Sequence, residues 1–473
     1  MVFSSFTFLA FFLPITTILY FVRKNKTWRN CVLLVMSLLF YAWGEPRFVL
    51  IMILSIVINY FAGLMIHRSA VRKKKALKLL FMILGVGISV SFLFWFKYFS
   101  FLANTFINIF HIQAAQIPAK VLPIGISFYT FQIITYTVDV YMGRVPVQKN
   151  ILKLGLYISF FPQLIAGPIV NYTYIEPYLD ERTIHVEAFF SGLFRFIIGL
   201  SKKILIANLC GEILAELTLT GNVSTLAAWL GAISYTFQIY FDFSGYSDMA
   251  IGMGKMFGFR FLENFKYPYT SSSITDFWRR WHVSLGTFFR DYVYIPLGGN
   301  RCSKGRQILN IFIVWMLTGF WHGAAWNFIV WGLYYGVLLI IEKLVFGKVL
   351  DRLPYIIRWL YTMLIVVIGW VIFYHESLAD GIHQVGAMFG IGAASAGDAA
   401  AVYCLKQYFV LLIIAALASV PWKQILYKKT GRKININRPS ATVRRFIIAT
   451  GLLALCIIFL AGSSFNPFLY FRF

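Results

Sequence analysis

Charged side chains are scarce in this chain. Aspartate, glutamate, lysine and arginine make up 13% of its 473 residues, whereas hydrophobic residues make up 59% and aromatic residues 19%. Soluble globular proteins carry about 25% charged residues, and a soluble fold able to bury this many apolar side chains would be implausibly large. The shortage of charge excludes an ordinary soluble protein, and the mean hydropathy of +0.73 indicates a polytopic membrane protein.

Cysteines are also few, and the motifs of several common enzyme classes are missing. The chain contains no CxxC pair, no GxSxG, no HExxH, no Walker sequence and no paired Cys/His cluster. These absences argue against a disulfide framework, a zinc site and a serine hydrolase. The glycines of GYSDMAIGMGKMFG do not follow a strand, so they indicate close helix packing rather than a dinucleotide loop. We therefore expect no bound metal and no bound cofactor. The five cysteines are Cys31, Cys210, Cys302, Cys404 and Cys456.

Acidic residues are much rarer than basic ones, with 18 against 43, which gives a net charge of +25. In a soluble protein such a charge would suggest a nucleic acid partner. Here the basic residues lie in short stretches between apolar runs, which is typical of cytoplasmic loops beside anionic lipid. The clearest of these stretches are 68–78 and 423–445, and the most acidic stretch, 171–187, is expected outside. The pattern predicts a lipid bilayer as partner and no nucleic acid.

The apolar runs and their charged flanks predict a topology with both termini outside the cell. The first run is interpreted as a retained helix rather than a cleaved signal, because no basic segment precedes it. Run 188–200 is expected to end at Lys202 and Lys203, and the next two runs form either two spans or a re-entrant hairpin. We expect segment 243–306 at the cytoplasmic face, partly folded into the membrane, and 375–403 as an external loop. The runs are 3–22, 30–43, 48–66, 79–102, 188–200, 204–219, 224–242, 307–321, 324–341, 359–374, 405–422 and 446–461.

Segment 121–170 combines helix-breaking residues with buried polar ones. Its two apolar runs are interrupted by prolines and glycines, and irregular backbone at membrane depth is tolerated only inside protein or beside a water-filled cavity. We expect this segment to line the interior, the alternative being ordinary kinked helices. Its polar residues are Ser127, Gln132, Thr135, Asp139 and Gln163.

His322 stands at the end of an apolar run that is long enough to reach membrane depth. An ionisable residue at that depth is costly and is by default a functional-site hypothesis. Gly319, Gly323, Ala324 and Ala325 surround it in sequence, and we expect these small residues to leave space for a substrate. An apolar environment disfavours the cationic form of an imidazole, so such a ring can take a proton from an acceptor hydroxyl. The alternative is a structural histidine that is hydrogen-bonded to a neighbouring helix.

His282 follows Arg279, Arg280 and Trp281 in a basic, aromatic segment that cannot span a bilayer. The planar guanidinium group matches phosphate oxygens, and a thioester donor such as acyl-coenzyme A carries phosphates and approaches from the cytosol. The competing interpretation is a basic anchor at the lipid headgroups. The other five histidines lie in or near loops and are interpreted as solvated surface residues.

Two acids near membrane depth, Asp242 and Asp248, flank the sequence FSGYS. We expect them to orient other polar groups. Together with His322 and His282 as catalytic residues, the predicted site has a set of residues expected to bind substrate or donor. That set comprises Arg279, Arg280, Trp281, Trp321, Asp242, Asp248, Gln132 and Asn327.

Several characteristic stretches follow one another through nearly the whole chain. They are MVFSSFTFLAFFLP at the start, LPIGISFYTFQIITYTVDVY at 122–141, FFPQLIAGPI at 160–169, YFDFSGYSDMAIGMGKMFGF at 240–259, the stretch 264–301, LTGFWHGAAWNFIVWGLYYG at 317–336, and FNPFLYFRF at the C-terminus. In these stretches the sequence resembles the membrane-bound O-acyltransferase superfamily, and closely its bacterial branch typified by the alginate O-acetyltransferase membrane subunit. It is more distantly similar to the membrane protein of teichoic-acid D-alanylation.

The resemblance implies an all-α polytopic fold of about 11–14 membrane helices, including re-entrant segments. It implies one membrane domain over 1–473, with N-terminal helices (1–120), a catalytic core (121–342) and C-terminal helices (343–473). An external funnel and a cytoplasmic cavity would meet at a buried histidine. The family's invariant histidine corresponds to His322 and its second motif histidine to His282.

The resemblance also implies an activity, in which an acyl group leaves a cytosolic thioester such as acetyl-CoA and is accepted outside the bacterial cytoplasmic membrane. A separate extracytoplasmic protein, an SGNH-hydrolase-like acetyltransferase, would then pass the group to a polysaccharide. His322 would act either as a base or through an acyl-imidazole. Two competing functions are D-alanyl transfer from a carrier protein and transport without chemistry. A transporter would be expected to show an inverted repeat with ion ligands at the midplane, which the sequence lacks.

Overall fold

The computed structural model describes residues 1–165, 167–218, 223–430, 439–462 and 469. These residues form helices and no β-strand, so the all-α prediction is confirmed. Six of the described helices are long and apolar enough to cross a membrane. They are Val49–Val71, Lys75–Ile109, Trp326–Leu350, Tyr355–Tyr374, Ala399–Ala418 and Thr442–Gly462.

The described chain forms two compact units. The first comprises residues 1–196 and 249–262, and the second comprises residues 197–248 and 263–473. The three-region division at residues 120 and 342 stays a prediction.

The first unit begins with four helices. They are α1 (Phe8–Val22), α2 (Lys26–Gly44), α3 (Val49–Val71) and α4 (Lys75–Ile109). Helices α2 and α4 contain the runs predicted at 30–43 and 79–102, and α3 contains the run predicted at 48–66 except for residue 48, so all three runs are confirmed as helical. The predicted span 3–22 is wrong in length, because Ser5 forms a local turn: its hydroxyl accepts from the Phe8 N–H at 3.3 Å and donates to the Val2 carbonyl at 2.8 Å. Such side-chain bonds compete with helix formation.

The irregular segment of the first unit contains α5 (Ile126–Met142), α6 (Ile151–Ser159) and the single turn α7 (Phe161–Leu164), followed by α8 (Tyr172–Asp180). Gly125 has a φ of 75°, and a Cβ placed on it would lie 2.8 Å from the Leu164 carbonyl oxygen. Only glycine fits both conditions. The predicted interior position is confirmed, since every polar side chain named for this segment is at most 7% exposed.

The second unit begins at Ile197, near the end of α9 (Val186–Ser201). This helix continues as a π segment (Lys202–Asn208) into α10 (Leu209–Thr218), and α11 (Thr225–Met256) follows. The predicted helix end at Lys202 and Lys203 is therefore wrong, because run 204–219 continues the helix of run 188–200. Whether runs 204–219 and 224–242 are two spans or a re-entrant hairpin stays open. Segment 243–306 was also predicted too long, because its first fourteen residues belong to α11.

The lysines do not end the helix because aspartates of α11 neutralise them. Lys202 lies 2.7 Å from Asp248 and Lys203 lies 2.6 Å from Asp242. A Cβ on Gly245 would lie 2.7 Å from the Gly199 carbonyl oxygen, so the backbones of the two helices are almost in contact. Close glycine packing thus brings both acid–base pairs together.

The next helices of the second unit are α12 (Ile274–Arg280), α13 (Val283–Phe289), α14 (Lys304–His322), α15 (Trp326–Leu350) and α16 (Tyr355–Tyr374). The predicted break at WHGAA is confirmed as the turn between α14 and α15. In this hairpin Gly319 faces Gly332. A Cβ on Gly319 would lie 2.3 Å from the Phe328 carbonyl oxygen, and one on Gly332 would lie 2.4 Å from that of Trp315.

The last helices are α17 (Leu378–Met388), α18 (Ala399–Ala418), α19 (Trp422–Thr430) and α20 (Pro439–Gly462). The external loop predicted at 375–403 contains α17, which Ser377 caps by accepting from the Asp380 N–H. The basic stretch 423–445 begins in α19, whereas its residues 431–438 lie outside the described residues. Most of the C-terminal motif FNPFLYFRF also lies outside them, with the exception of Leu469.

Candidate active site

His322 is the last residue of α14 and is 7% exposed. Aromatic rings surround its imidazole, with centroid distances of 5.0 Å to Trp321, 5.1 Å to Trp331 and 5.2 Å to Phe373. The nearby glycines do not open space beside the ring, contrary to our expectation. Gly319 packs against α15, and a Cβ on Gly323 would lie 2.2 Å from the Phe328 ring, so Phe328 fills that space.

His322 faces a small pocket of about 10 Å³. This volume is close to the minimum that holds one water molecule. Besides the histidine, five aromatic or apolar residues and one acid line the pocket, together with Leu469 from the C-terminal segment. The lining residues are Ile239, Asp242, Phe243, Trp281, His322, Trp370, Phe373 and Leu469.

Asp242 is the charged residue of this pocket and is 2% exposed. One of its carboxylate oxygens forms the ion pair with Lys203, and the other accepts a hydrogen bond from the Leu469 N–H at 2.9 Å. A buried carboxylate needs such partners. Asp242 therefore ties the π segment to the pocket, and its predicted role in orienting substrate groups stays a prediction.

His282 lies at the N-terminus of α13 in a left-handed conformation, with φ 44° and ψ 54°. Its ring is 2% exposed, and its Nδ1 lies 3.3 Å from the Asn264 side-chain oxygen. The Ser284 N–H and hydroxyl both donate to the same oxygen at 3.0 Å. Because that oxygen is an acceptor, Nδ1 carries the proton and Nε2 presents a lone pair. Among the described residues nothing bonds to this buried Nε2.

The electrostatic setting of His282 keeps it neutral. Burial lowers the pKa of His282 to about 3, because the surrounding protein cannot solvate an imidazolium ion. The ring therefore stays uncharged near neutral pH and can accept, but not donate, through Nε2.

The indole of Trp321 brings the two histidines together. Its centroid lies 5.0 Å from that of His322 and 5.9 Å from that of His282. The histidines are forty positions apart in the chain, and both belong to the second unit. The structure thus gathers the two predicted catalytic histidines, Trp321 and Asp242 into one site.

The predicted donor-binding residues around His282 differ in their settings. Arg279 is exposed and lines a second, larger cavity of about 590 Å³. Arg280 pairs with Asp276 at 2.9 Å and donates to the Thr270 hydroxyl at 3.3 Å. Trp281 is 4% exposed and lines the His322 pocket. Of the two arginines, Arg279 lines a cavity, whereas Arg280 is held by Asp276 and Thr270, and binding of the donor by either stays a prediction.

Three predicted residues lie outside the pocket. Asp248 pairs with Lys202. Asn327 is 1% exposed and donates to the Phe373 carbonyl at 3.3 Å, which ties α15 to α16. Gln132 belongs to the first unit, where neither atom of its amide has a partner among the described residues. Their assignment to substrate binding stays a prediction.

Sequence reasoning missed several residues of the site. Lys203 was interpreted only as a sign of the cytoplasmic side. The two adjacent lysines, Lys202 and Lys203, could have suggested ion pairs with the two aspartates of the next apolar run. Asn264 carries no motif that would mark it as the partner of a histidine. Trp331, Trp370 and Phe373 belong to a chain with 13 tryptophans and 48 phenylalanines, so their presence carries little information.

Comparison with known proteins now decides the family. The profile of the membrane-bound O-acyltransferase family matches residues 146–374, which include both histidines. A probable alginate O-acetylase of Pseudomonas putida is 38% identical over the full length of both chains. This chain belongs to the membrane-bound O-acyltransferase family. It is therefore a multi-pass membrane acyltransferase, and the predicted resemblance is confirmed.

Other members of the O-acyltransferase family show the range of the similarity. A peptidoglycan O-acetyltransferase of Helicobacter pylori is 36% identical over 84% of this chain and 81% of its own length. A teichoic acid D-alanyltransferase of Bacillus subtilis is 33% identical over 46% of this chain and 58% of its own length. The proteins named as O-acetylating enzymes thus match more of this chain than the D-alanyltransferase does.

Proposed function

We propose that this acyltransferase takes an acetyl group from cytosolic acetyl-CoA and supplies it for O-acetylation of a cell-surface polysaccharide. It would lie in the bacterial cytoplasmic membrane with both termini outside, and an extracytoplasmic SGNH-hydrolase-like protein would complete the transfer. The observation that carries the proposal is the buried His322, enclosed by aromatic rings at the end of α14. The names of the relatives that match most of this chain support the acetyl group and a polymeric acceptor.

In the mechanism that the site supports best, His322 acts as a general base. Its imidazole takes the proton of the acceptor hydroxyl while the hydroxyl oxygen attacks the thioester carbonyl. The carbon–sulfur bond then breaks, and the departing thiolate takes the proton from the imidazolium. The C-terminus of α14 carries partial negative charge, and His322 is its last residue, so the helix stabilises the imidazolium that forms in between. The alternative is attack by the imidazole itself, which would give an acyl-imidazole.

His282 would hold a substrate rather than move a proton to it. The Nε2 lone pair of this neutral ring can accept a hydrogen bond from an amide N–H of the donor or from the acceptor hydroxyl. The aromatic rings around both histidines exclude water, which protects the thioester from hydrolysis.

The experiment that tests this function measures ester-linked acetate on the surface polysaccharide of cells that carry wild type or His322→Ala at equal membrane levels. A general base contributes about 10²–10⁴-fold to the rate, so we expect acetate to fall to background in the variant. His67→Ala is the matched control, because His67 is exposed on α3. Unchanged acetate in His322→Ala would overturn the catalytic assignment, and a pure transporter would predict that result.

D-alanyl transfer is the second candidate, favoured by the partial match to the teichoic acid D-alanyltransferase. The same cells distinguish it. If wild type added no acetate but added D-alanyl ester that disappeared in His322→Ala, the acyltransferase chemistry would stand and the donor would be different.

A further inference from the structure

Two arginines come together in the first unit, where the end of α1 and the start of α2 meet the segment between α8 and α9. They are Arg29 and Arg182, and both contact the ring of Tyr20. The ring centre lies 5.1 Å from the guanidinium carbon of Arg29 and 5.6 Å from that of Arg182. All three residues belong to the first unit, which contains neither of the histidines of the candidate active site.

Arg182 is held in place by neutral groups. Its Nε donates to the Tyr20 hydroxyl at 2.9 Å, and its Nη1 donates to the Asn30 side-chain oxygen at 2.7 Å and to the Tyr178 carbonyl at 3.0 Å. The guanidinium carbon also lies 4.6 Å from the centre of the Phe259 ring. Its Nη2 is buried and has no hydrogen-bond partner among the described residues. The protein therefore orients this guanidinium group and leaves one of its nitrogens unused.

Arg29 adds a second positive charge. Its guanidinium lies over the rings of Tyr20 and Phe21, at 5.1 and 5.7 Å from their centres. Its Nε is buried without a partner in the described part of the chain. Two acids precede Arg182 in sequence, but Asp180 pairs with Lys153 and Glu181 is exposed. No carboxylate of the described residues forms an ion pair with either arginine.

Two neighbouring cations without a counterion are costly. Burial lowers the pKa of Arg182, and the positive charge of Arg29 lowers it as well, although the Tyr20 hydroxyl opposes both effects. Arginine nevertheless keeps its proton in proteins, so the pair stays doubly charged. Buried N–H groups without acceptors add to the cost. An anion with several oxygens would remove both costs, and planar guanidinium groups match phosphate oxygens.

The surroundings of the two arginines favour a lipid phosphate over a soluble one. Apolar side chains beside them are exposed, with 39% for Phe21 and 61% for both Val22 and Phe190. The ring of Phe21 packs against that of Phe189 with a centroid distance of 5.7 Å. Aromatic and aliphatic side chains next to basic ones are typical of segments at the membrane interface. A ligand with a phosphate and acyl chains would match both parts of this surface.

The contacts of Arg182 also show which segments share one side of the membrane. The predicted topology places residues 23–29 inside and the stretch 171–187 outside. Arg182 of that stretch contacts Tyr20 and Asn30 at the two ends of the basic segment, so the two predictions are incompatible. Residues 23–29 contain four cations and no acid, and lysines and arginines set the orientation whereas acids contribute little. The cytoplasmic side is therefore favoured for both segments, and anionic lipids are abundant in the cytoplasmic leaflet.

We propose that Arg29 and Arg182 bind the phosphate group of one anionic phospholipid in the cytoplasmic leaflet, with its acyl chains against Phe21 and Phe190. The Nε of Arg29 and the Nη2 of Arg182 donate to the phosphate oxygens. The bound lipid neutralises the arginine pair and joins the α1–α2 connection to the segment before α9. The proposal goes beyond the proposed function, because it requires no particular acyl donor or acceptor. A soluble phosphate compound offers the same chemistry and is the source that the experiment must separate.

The test titrates phosphatidylglycerol or phosphatidylcholine into full-length protein in an uncharged detergent and counts bound lipids by native mass spectrometry. We expect wild type to hold one phosphatidylglycerol more tightly than any phosphatidylcholine. Arg29→Gln should weaken this binding about tenfold, since a hydrogen bond between charged groups is lost. Arg23→Gln removes the same charge and is the matched control. Arg23 is exposed in the same basic segment, and its guanidinium lies over Trp28 instead of Tyr20, so this variant should bind as wild type does.

Thermal unfolding provides a second readout. Without anionic lipid, Arg29→Gln should be at least as stable as wild type, because it removes one of two like charges. Phosphatidylglycerol should raise the melting temperature of wild type and of Arg23→Gln more than that of Arg29→Gln, since a ligand that binds the folded state stabilises it. Arg182→Gln should also lose the lipid effect. It loses the bonds to Tyr20 and Asn30 as well, so Arg29→Gln is the decisive variant.

Three outcomes would overturn the assignment. Equal weakening in Arg23→Gln and Arg29→Gln would show a general attraction between basic residues and anionic lipid. Unchanged phosphatidylglycerol binding in Arg29→Gln, or no preference of wild type for phosphatidylglycerol over phosphatidylcholine, would exclude a lipid site at the arginine pair. Inorganic phosphate or coenzyme A that displaces phosphatidylglycerol from wild type at equal concentration would identify a site for a soluble phosphate compound.

Discussion

Lys203 and Asp242 form an ion pair with a nitrogen–oxygen distance of 2.6 Å, and their side chains are only 3% and 2% exposed. The pair joins the π segment to α11 at the edge of the His322 pocket. A buried pair of this kind contributes less to stability than its distance suggests, since both charges lose their hydration. Removing one partner lowers the stability strongly, because the other charge is left buried without a counterion.

The first prediction concerns this pair. Lys203→Met should lower the free energy of unfolding by about 3–5 kcal/mol, because Asp242 is left as a buried, uncompensated charge. The double variant Lys203→Met/Asp242→Leu should recover most of that loss. Thermal unfolding in detergent measures both. A double variant that is less stable than the single one would mean that the pair itself is strongly stabilising.

The second prediction concerns the hairpin that carries His322. Gly319→Ala should lower both stability and acetate transfer, because its Cβ would lie 2.3 Å from the Phe328 carbonyl oxygen and force α14 away from α15. Gly305→Ala is the control on the same helix, since a Cβ there meets nothing within 4 Å. We therefore expect lower membrane levels of the protein and less ester-linked acetate for Gly319→Ala than for Gly305→Ala. Equal behaviour of the variants would show that the close contact is dispensable.

The third prediction concerns the backbone at His282. An asparagine tolerates a left-handed conformation better than an alanine does, and φ is 44° at this position. We expect His282→Asn and His282→Ala both to lose acetate transfer, while His282→Ala unfolds more easily by about 1 kcal/mol. Their melting temperatures provide the measurement. Full activity in either variant would remove His282 from the catalytic site.

The fourth prediction is a pH dependence. Burial lowers the pKa of His282 to about 3, whereas histidine in an unfolded chain titrates near about 6.5. Below that value the unfolded chain binds a proton that the folded chain does not, so this part of the stability is complete above about pH 6.5 and is lost as pH falls toward about 3.

At about pH 5 the free energy of unfolding is lower by about 2 kcal/mol because of His282. Unfolding of wild type and His282→Asn should therefore be compared at about pH 7.5 and about pH 5. We expect the difference between them to shift by that amount in favour of the variant at the lower pH. The same difference at both values would mean that His282 is protonated in the folded protein.

The fifth prediction concerns Glu342, which holds the start of α12 through the backbone N–H groups of Ile274 and Thr275. Glu342→Ala should cost about 1–3 kcal/mol, because these buried donors lose their acceptor. Glu342→Gln keeps one acceptor oxygen and should cost less. Since α12 carries Arg279, both variants should also raise the KM for acetyl-CoA. A loss of stability with an unchanged KM would separate this helix from donor binding.

The helical class and the six long apolar helices could be predicted from the sequence, and both histidines could be singled out, for a physical reason. Ionisable side chains at membrane depth are rare because they are costly, so His322 stands out in a chain of low charge. Its proximity to His282 across Trp321 is a tertiary relationship between residues forty positions apart, and no local pattern specifies it.

Two misinterpretations have equally plain causes. Lys202 and Lys203 were interpreted as a cytoplasmic helix end because counting charges ignores partners, and their partners lie on another helix. Gly323 was interpreted as leaving space for a substrate, because a glycine is found both beside open cavities and where two segments pack closely, and the sequence does not distinguish these cases. The Phe328 ring, which settles the matter, becomes its neighbour only after the hairpin forms.

The narrow pocket at His322 limits the access of water to the site. With a volume of about 10 Å³, it has room for about one water molecule, and aromatic side chains must shift before a donor and an acceptor can meet there. The proposed thioester donor would then be hydrolysed slowly while no acceptor is bound, because little water can reach its carbonyl carbon.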